Sequence, residues 1–373
     1  MDFNLSEEQE LLVNSAERYG RERYDFETRR KIIDGADGLS REQWAAFAEM
    51  GWLCLTVPEE AGGLGGDMVD VALMIEALGG ALVVEPLIDT AILGVALVAA
   101  CPETTVRDDL LAAVMGGETI LALAHAEAGG RCEYHTPVAT QAVAEGDGWR
   151  LTGRKLRVFH GAGADVLLTT ARLGDAVALF AVPRDAAGVT VDDYRLINGA
   201  HAADVTLAEV TVGPSALILA PGTVEPVLDE ALDRAVLASC AATIGSMEAV
   251  MAMTSDYLKE RVQFGQPLAK FQALQHRMAE MFIDTERARS AVYRALAAFD
   301  MDDAEARRRA VSAAKVLVQQ TAHFVTGQGI QLHGGIGMTD EYAVGHHFKA
   351  SLVFGKRFGD TDVHLARSIG LPL

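Results

Sequence analysis

Aromatic side chains are scarce, at 6% of 373 residues, so large flat stacking surfaces do not dominate this protein. Cysteine is scarcer still. Cys54, Cys101, Cys132 and Cys240 lie far apart and form no Cys-x-x-Cys pair, which leaves zinc-ribbon and redox-motif chemistry without support. Ordinary buried thiols are expected instead, and no metal site is expected. Positive charge is also in short supply, with 32 Lys and Arg against 52 Asp and Glu, a formal net charge of −20. A chain this acidic is repelled by nucleic acid and by anionic membrane surfaces. Any phosphate-bearing ligand must find local Arg, Lys or helix N-termini set against that field. No basic segment opens the sequence, so a secretory signal is not expected. The most apolar stretch by eye, 81–100, is interrupted by Glu85, Pro86 and Asp89, so no membrane span is expected. A reducing cytoplasm fits these absences.

What is abundant is Ala, Leu and Val, within a hydrophobic share of 50%. Ala and Leu favour long packed helices. The texture of the chain changes twice, which gives expected domains at 1–117, 118–214 and 215–373. In the first, Ser6 and Gln9 have capping-box spacing, Trp44, Phe47 and Met50 recur at helical spacing, and the segment from Pro58 to Gly66 reads as a loop. In the second, Trp149–Thr152, Val166–Thr170, Val177–Val182 and Val205–Val212 read as strands bounded by Gly, Pro and Asp, with Gly153-Arg154-Lys155 as a loop. In the third, helices are expected over 224–264, 271–299 and 303–327, with a shorter one after Gly345. A helix over 271–299 would be about 45 Å long, and four such elements suggest a four-helix bundle. The expected fold is therefore mostly α with an inserted antiparallel β-domain between an N-terminal helical domain and a C-terminal four-helix bundle. No internal repeat or low-complexity tract is present.

Two segments carry potential chemistry. Arg261-Val262-Gln263-Phe264-Gly265-Gln266-Pro267-Leu268, with Phe271-Gln272, places an Arg where a long helix ends. Taken alone it is also an ordinary charged helix terminus with a stop signal. Gln331-Leu332-His333-Gly334-Gly335-Ile336-Gly337-Met338 removes side-chain bulk after another long helix and would let a ligand approach the backbone. Alone it is also a glycine-rich turn, and it is not a dinucleotide fingerprint, since no strand precedes it and the glycine spacing differs.

Together, Arg-x-x-Phe-Gly-x-Pro-Leu-x-x-Phe-Gln followed by Gln-x-x-Gly-Gly-x-Gly-Met resembles the acyl-CoA dehydrogenase superfamily over nearly the whole chain. The opening Ser6–Leu11, the Val57-Pro58-Glu59-Glu60 loop, the helix–strand–helix order and Glu341-Tyr342 fit as well. The resemblance implies FAD held at a subunit interface, with Arg261 on the pyrophosphate, Phe264 and Gln272 beside it, and Gln331, Gly334 and Gly335 on the adenosine side. Guanidinium with phosphate is the pairing that planar bidentate geometry favours. It further implies an acyl-CoA substrate, an electron-transfer flavoprotein as acceptor, and a homo-oligomer or a heterotetramer with a second chain of the same family.

The resemblance also has gaps. Family chemistry needs a carboxylate to remove the α-proton of the thioester. Most members place that Glu late, in Tyr-Glu-Gly-Thr, where this chain has Arg357-Phe358-Gly359-Asp360-Thr361. A minority place it early, directly before an Arg, where this chain has Leu232-Asp233-Arg234-Ala235. Asp233 is thus the candidate base, Arg234 matches the residue that contacts the thioester arm or its partner carboxylate, and Asp360 and Asp362 are the nearest late carboxylates. In the middle domain, His125-Ala126-Glu127-Ala128-Gly129-Gly130 and Arg157-Val158-Phe159-His160-Gly161 take the place of Thr-Glu-Pro-Gly-Ala-Gly-Ser-Asp and of the flavin-stacking Trp-Ile-Thr. Two functions follow: a working dehydrogenase, or a non-catalytic partner subunit that completes FAD sites in a heteromer; related oxidases and flavin monooxygenases of the same fold are a smaller third option. The Leu-Asp-Arg-Ala segment and the 337–349 ending are similar to small subunits of dehydrogenases for pimeloyl-CoA and steroid side-chain acyl-CoA.

Overall fold

The computed structural model describes residues 4–299, 301 and 303–371. In chain order the helices are α1 Glu7–Glu22, α2 Phe26–Ile33, α3 Arg41–Glu49, α4 Met68–Gly79, α5 Val95–Ala99, α6 Thr105–Met115, α7 Val224–Glu260, α8 Gln272–Phe299, α9 Ala304–His333, α10 Ala343–Phe354 and α11 Thr361–Ser368. The strands are β1 Leu121–Ala124, β2 Gln141–Glu145, β3 Gly148–Phe159, β4 Val166–Leu173, β5 Ala176–Pro183, β6 Val189–Arg195, β7 His201–Val212, β8 Leu217–Leu219, β9 Val262–Gln263 and β10 Gln266–Pro267. The expected order, helical then β then helical, is what the structure has. The chain forms two compact units: Met1–Arg30 with Met68–Val83 and Val236–Leu373, and Lys31–Asp67 with Val84–Ala235.

The first unit is helical. Ser6 caps α1 as its spacing predicts: its hydroxyl accepts from the Gln9 N–H (3.2 Å) and the Gln9 side chain accepts from the Ser6 N–H (3.1 Å). Helix α4 meets α7 at contact distance because Gly79 and Gly245 lack Cβ atoms, which would lie 2.2 Å from the Ala242 carbonyl oxygen and 1.9 Å from that of Glu76. Helix α7 stops at Glu260, short of the expected Phe264. The chain turns back there as a β9–β10 hairpin through Phe264 and Gly265, whose φ values of 52° and 81° no helix accommodates. Helix α9, by contrast, runs past the expected end at Gly327 to His333. Gly329 does not break it, because a Cβ there would sit 2.5 Å from Val250 on α7, so glycine is selected by packing. By length and composition α7 could cross a bilayer, but 67% of its most apolar window is buried in the protein, the pattern of a core helix.

The second unit is built on a sheet of order β6-β7-β3-β2-β4-β5-β8, with β1 beside β4. Most pairs are antiparallel, as expected; the exceptions are β1, which runs parallel to β4, and β2, which meets β4 through a parallel bridge. Strands β1, β2, β6 and β8 have no counterpart among the expected runs. The expected Gly153-Arg154-Lys155 loop lies inside β3. Its charges misled: Gly153 is needed because a Cβ there would meet the Thr140 hydroxyl at 2.3 Å, and Lys155 is buried. A π-helical segment, Leu87–Gly94, precedes α5.

Candidate functional site

In the helical unit the two motifs gather at one end of the bundle. Arg261 follows α7, its N–H donating to the Tyr257 carbonyl (2.8 Å), and its own carbonyl accepts from Leu268 N–H across the hairpin (2.8 Å). The Tyr257 ring packs against His333, the last residue of α9, at 4.7 Å, and the Tyr342 ring packs against the same imidazole at 4.9 Å. The ring is fixed by its Nδ1–H donating to the Gly329 carbonyl (2.7 Å), and burial lowers its pKa. Gly334 and Gly335 come next. Gly334 has φ 66°, and a Cβ on either residue would meet nothing within 4 Å, whereas one on Gly337 would strike the Ile330 carbonyl oxygen at 2.8 Å. Internal packing therefore demands Gly337 but not Gly335. Phe264 is 90% exposed, and its ring meets that of Phe271 in a T-shaped contact at 6.1 Å. Arg261, Gln272 and Gln331 are exposed too. Gln331 lines an open groove of about 810 Å³ together with Arg277, His323, Phe324, Gln328 and Phe348.

The late carboxylate Asp360 is otherwise engaged. Asp360 caps α11 by accepting from the Val363 N–H (3.2 Å) and lies 3.6 Å from the Lys356 ammonium. The preceding turn holds Phe358 at φ 59° and Gly359 at φ 109°, with the Phe358 carbonyl accepting from His364 (3.0 Å).

In the sheet-containing unit, Asp233 lies on the first part of α7 and is fully buried. Its Oδ1 accepts from the Tyr134 hydroxyl at 2.9 Å. Arg234, next to it, donates back one turn to Glu230 through Nε (3.2 Å) and a terminal nitrogen (2.9 Å), so the helix itself presents an Arg–carboxylate pair beside the buried acid. Deeper in the sheet, Lys155 donates to Glu127 at 2.5 Å and to the Thr170 hydroxyl at 3.1 Å. Burial pushes the Lys155 ammonium down to about 8. For Glu127, burial pushes up, but Lys155 and hydrogen bonds from Thr140 and the Ala139 N–H prevail and hold the carboxyl below the usual range. His125 is buried against Thr170 and the Glu133 carbonyl. Nothing in the sequence marked Tyr134 as the contact of Asp233, or His125 and the Glu127–Lys155 pair as joined through Thr170. Arg157 is exposed at φ 54°, its N–H donating to Asp204 (3.1 Å), and Phe159 is half-buried. His160 is buried 3.6 Å from Asp89. Cys101, Cys132 and Cys240 are buried, Cys54 is half-buried, and all four are free thiols. Among the described residues no group of three or more His, Cys, Asp or Glu could hold a metal.

Residues 6–118 match the acyl-CoA dehydrogenase N-terminal domain and residues 226–369 the acyl-CoA dehydrogenase C-terminal domain. The acyl-CoA dehydrogenase IpdE2 of Mycobacterium tuberculosis is 30% identical over 316 residues, covering 84% of this chain and 80% of that protein. Among solved structures, a variant of the Tcur3481-Tcur3483 steroid acyl-CoA dehydrogenase is 29% identical with a TM-score of 0.87 over 98% of this chain and 97% of its own. The ChsE4-ChsE5 complex from Mycobacterium tuberculosis is 25% identical with a TM-score of 0.88 over 99% and 98%. With both terminal domains matched and the sheet between them in place, the chain belongs to the acyl-CoA dehydrogenase family, flavoprotein oxidoreductases that act on a CH–CH bond of acyl-CoA.

Proposed function

We propose that this protein carries out α,β-dehydrogenation of an acyl-CoA thioester with FAD as cofactor, and that Asp233 is the base. One observation carries the assignment: on α7 stands a carboxylate with no solvent exposure, oriented by a phenol donor. Dehydration raises the basicity of a carboxylate, and a fixed donor gives it direction, as removal of an α-proton requires.

The residues of the helical unit fit the dinucleotide end of FAD. Gly334 and Gly335 leave space that no side chain of the described residues fills, and Phe264 is an aromatic ring exposed on a tight turn. Arg261 would pair with the pyrophosphate, Phe264 and Gln272 would lie beside it, and Gln331 with the two glycines would line the adenosine. FAD, when bound, would supply the acceptor for the β-hydrogen lost as hydride. Asp233 takes the α-proton. Arg234, already paired with Glu230, would hold the thioester arm and keep a cation near an anionic ligand on a strongly acidic chain. We further propose an oligomer, homomeric or a heterotetramer with a second chain of the family, and an electron-transfer flavoprotein as acceptor.

The arrangement of β3 favours a second reading, a non-catalytic partner subunit. Exposed Arg157 and half-buried Phe159 stand in the segment where the family stacks Trp on the flavin.

The purified protein, supplied with FAD, is titrated anaerobically with straight-chain and steroid side-chain acyl-CoAs while the flavin absorbance is recorded. Bleaching is the expected result. Flavin bound but never bleached supports the partner reading, and failure to take up FAD removes the dinucleotide assignment.

A further inference from the structure

We propose that Tyr134 is a positioning residue for Asp233, held over the carboxylate by a polarised hydrogen-bond chain from Lys155 through Thr170 and His125 to the Glu133 carbonyl. The proposal rests on the reading of Asp233 as the base.

The direction of every bond in the chain follows from what each atom can do. The Glu133 carbonyl only accepts, so His125 Nε2, 3.0 Å away, carries a proton and donates. In the neutral ring Nδ1 is then a bare acceptor and takes the Thr170 hydroxyl proton at 2.8 Å. With its proton committed, the Thr170 oxygen receives Lys155 Nζ at 3.1 Å, a group that only donates. Lys155 is anchored in turn by Glu127, which accepts at 2.5 Å, and Glu127 by the Thr140 hydroxyl at 2.7 Å. His125 stays neutral because burial and the nearby Lys155 bring its pKa down to about 4. One tautomer and one proton arrangement are therefore fixed at neutral pH.

What the chain holds is the turn that carries Tyr134. Arg131 N–H donates to the His135 carbonyl (3.0 Å), His135 N–H to the Cys132 carbonyl (3.0 Å), and the Thr136 hydroxyl to the same Cys132 carbonyl (2.7 Å). These bonds shape the turn but do not attach it to the sheet. The His125–Glu133 bond does, one residue before Tyr134, whose hydroxyl then reaches Asp233. The position matters more for Asp than for Glu, because Asp has one methylene less with which to correct its aim. A donor on Oδ1 restricts rotation of the carboxyl group and so sets the direction of Oδ2. Buried polar groups that are satisfied throughout define a single geometry, whereas an apolar core at the same place would leave the turn free to shift.

The full-length protein with FAD, together with its partner chain if it has one, provides the test. Tyr134→Phe, Thr170→Val, Thr170→Ser and Asp233→Asn are compared by the rate of flavin reduction and the dissociation constant for the straight-chain acyl-CoA, butyryl to palmitoyl, that reduces the wild type fastest. An α-deuterated form of that substrate gives the isotope effect. Tyr134→Phe, nearly isosteric, should slow reduction by about tenfold to a hundredfold, the loss of one hydrogen bond to a charged group. Its substrate dissociation constant should stay within about threefold, and its α-deuterium isotope effect should grow, a signature of misdirected proton removal rather than weakened binding. Thr170→Val should move the rate the same way by less, and Thr170→Ser, which keeps the hydroxyl, should restore it. A Tyr134→Phe protein as fast as wild type while Asp233→Asn is inactive would overturn the positioning role alone. So would equal rates for Thr170→Val and Thr170→Ser. Full activity of Asp233→Asn, or no flavin reduction by any acyl-CoA, would remove Asp233 as the base and the positioning role with it.

Discussion

The glycine-and-arginine end of the helical unit and the Asp233 neighbourhood of the sheet-containing unit are opposites. In the first, the residues of interest are exposed and have little internal work: Phe264 projects into solvent and Gly335 borders open space. In the second, Asp233, Lys155 and His125 are buried and hydrogen-bonded to neighbours: Asp233 to the half-buried Tyr134, Lys155 to Glu127, His125 to Thr170. A surface that the fold does not need is free to be specialised for a ligand. An interior acid must first be made tolerable to the fold, since an uncompensated buried charge is costly. The contrast predicts that substitutions in the first region alter binding with little effect on stability, while those in the second alter chemistry or stability or both.

The largest effect that would break the comparison belongs to Asp233. Asp233→Asn should lower the rate of flavin reduction by roughly 10²–10⁴ with FAD content unchanged, as loss of a general base does. Stopped-flow absorbance measures it, and activity within about fivefold of wild type would return the acid to a purely structural role. Next comes Lys155→Met, which leaves Glu127 buried without its cation. We expect a stability loss of about 3–5 kcal/mol in urea unfolding, with part of it regained when Glu127→Gln is added. No loss would mean that the sheet interior does not depend on the pair.

Acid stability sharpens the comparison from the helical side. Burial brings His347 down to about 3, from an ordinary value of 6.5, with Ser246 hydrogen-bonded to its ring. The unfolded chain takes up a proton there near pH 6.5 and the folded one does not. The contribution is therefore complete above that pH and fades as pH falls toward about 3. About 3 kcal/mol should disappear between pH 6.5 and 4 from this group. His347→Gln should flatten the corresponding decline in Tm, and an unchanged decline would assign acid sensitivity elsewhere.

Arg261→Ala should weaken FAD by about tenfold to a hundredfold, with Tm of the FAD-free protein unchanged. Equilibrium dialysis reads the affinity, and unaltered binding would break the exposed half of the comparison. The smallest effect is the contrast between two glycines. Gly335→Ala should fold normally and bind FAD a few-fold more weakly, while Gly329→Ala should lower Tm, because its Cβ would lie 2.5 Å from Val250. Equal stability losses would show that both glycines serve packing.

Much of this was legible because it is local. The capping box of Ser6 and Gln9 spans four residues, β4 and β5 were visible as β-branched runs, and the Arg261 and Gly334 segments stand out because exposed specialised residues follow no packing pattern. The errors are of another kind. Gly327 looked like a helix end and lies inside α9, which packs against α7 two residues later at Gly329; Gly153-Arg154-Lys155 looked like a polar loop and is a strand with its lysine inside. Local propensity gave the wrong answer where a neighbour distant in sequence determined what the residue was for.

From the sequence alone come the family, the order of helical and sheet domains, and the short segments proposed to hold a dinucleotide, since these depend on composition, spacing and local turns. Only the tertiary structure decided that Asp360 is a helix cap, that Arg234 is paired with Glu230, and that Asp233 is met by Tyr134 from 99 residues away. A carboxylate looks the same in a sequence whether it caps a helix, pairs with a cation or stands dehydrated beneath a phenol. Its neighbours determine its desolvation and hydrogen bonding, and the fold brings those neighbours together from distant parts of the chain.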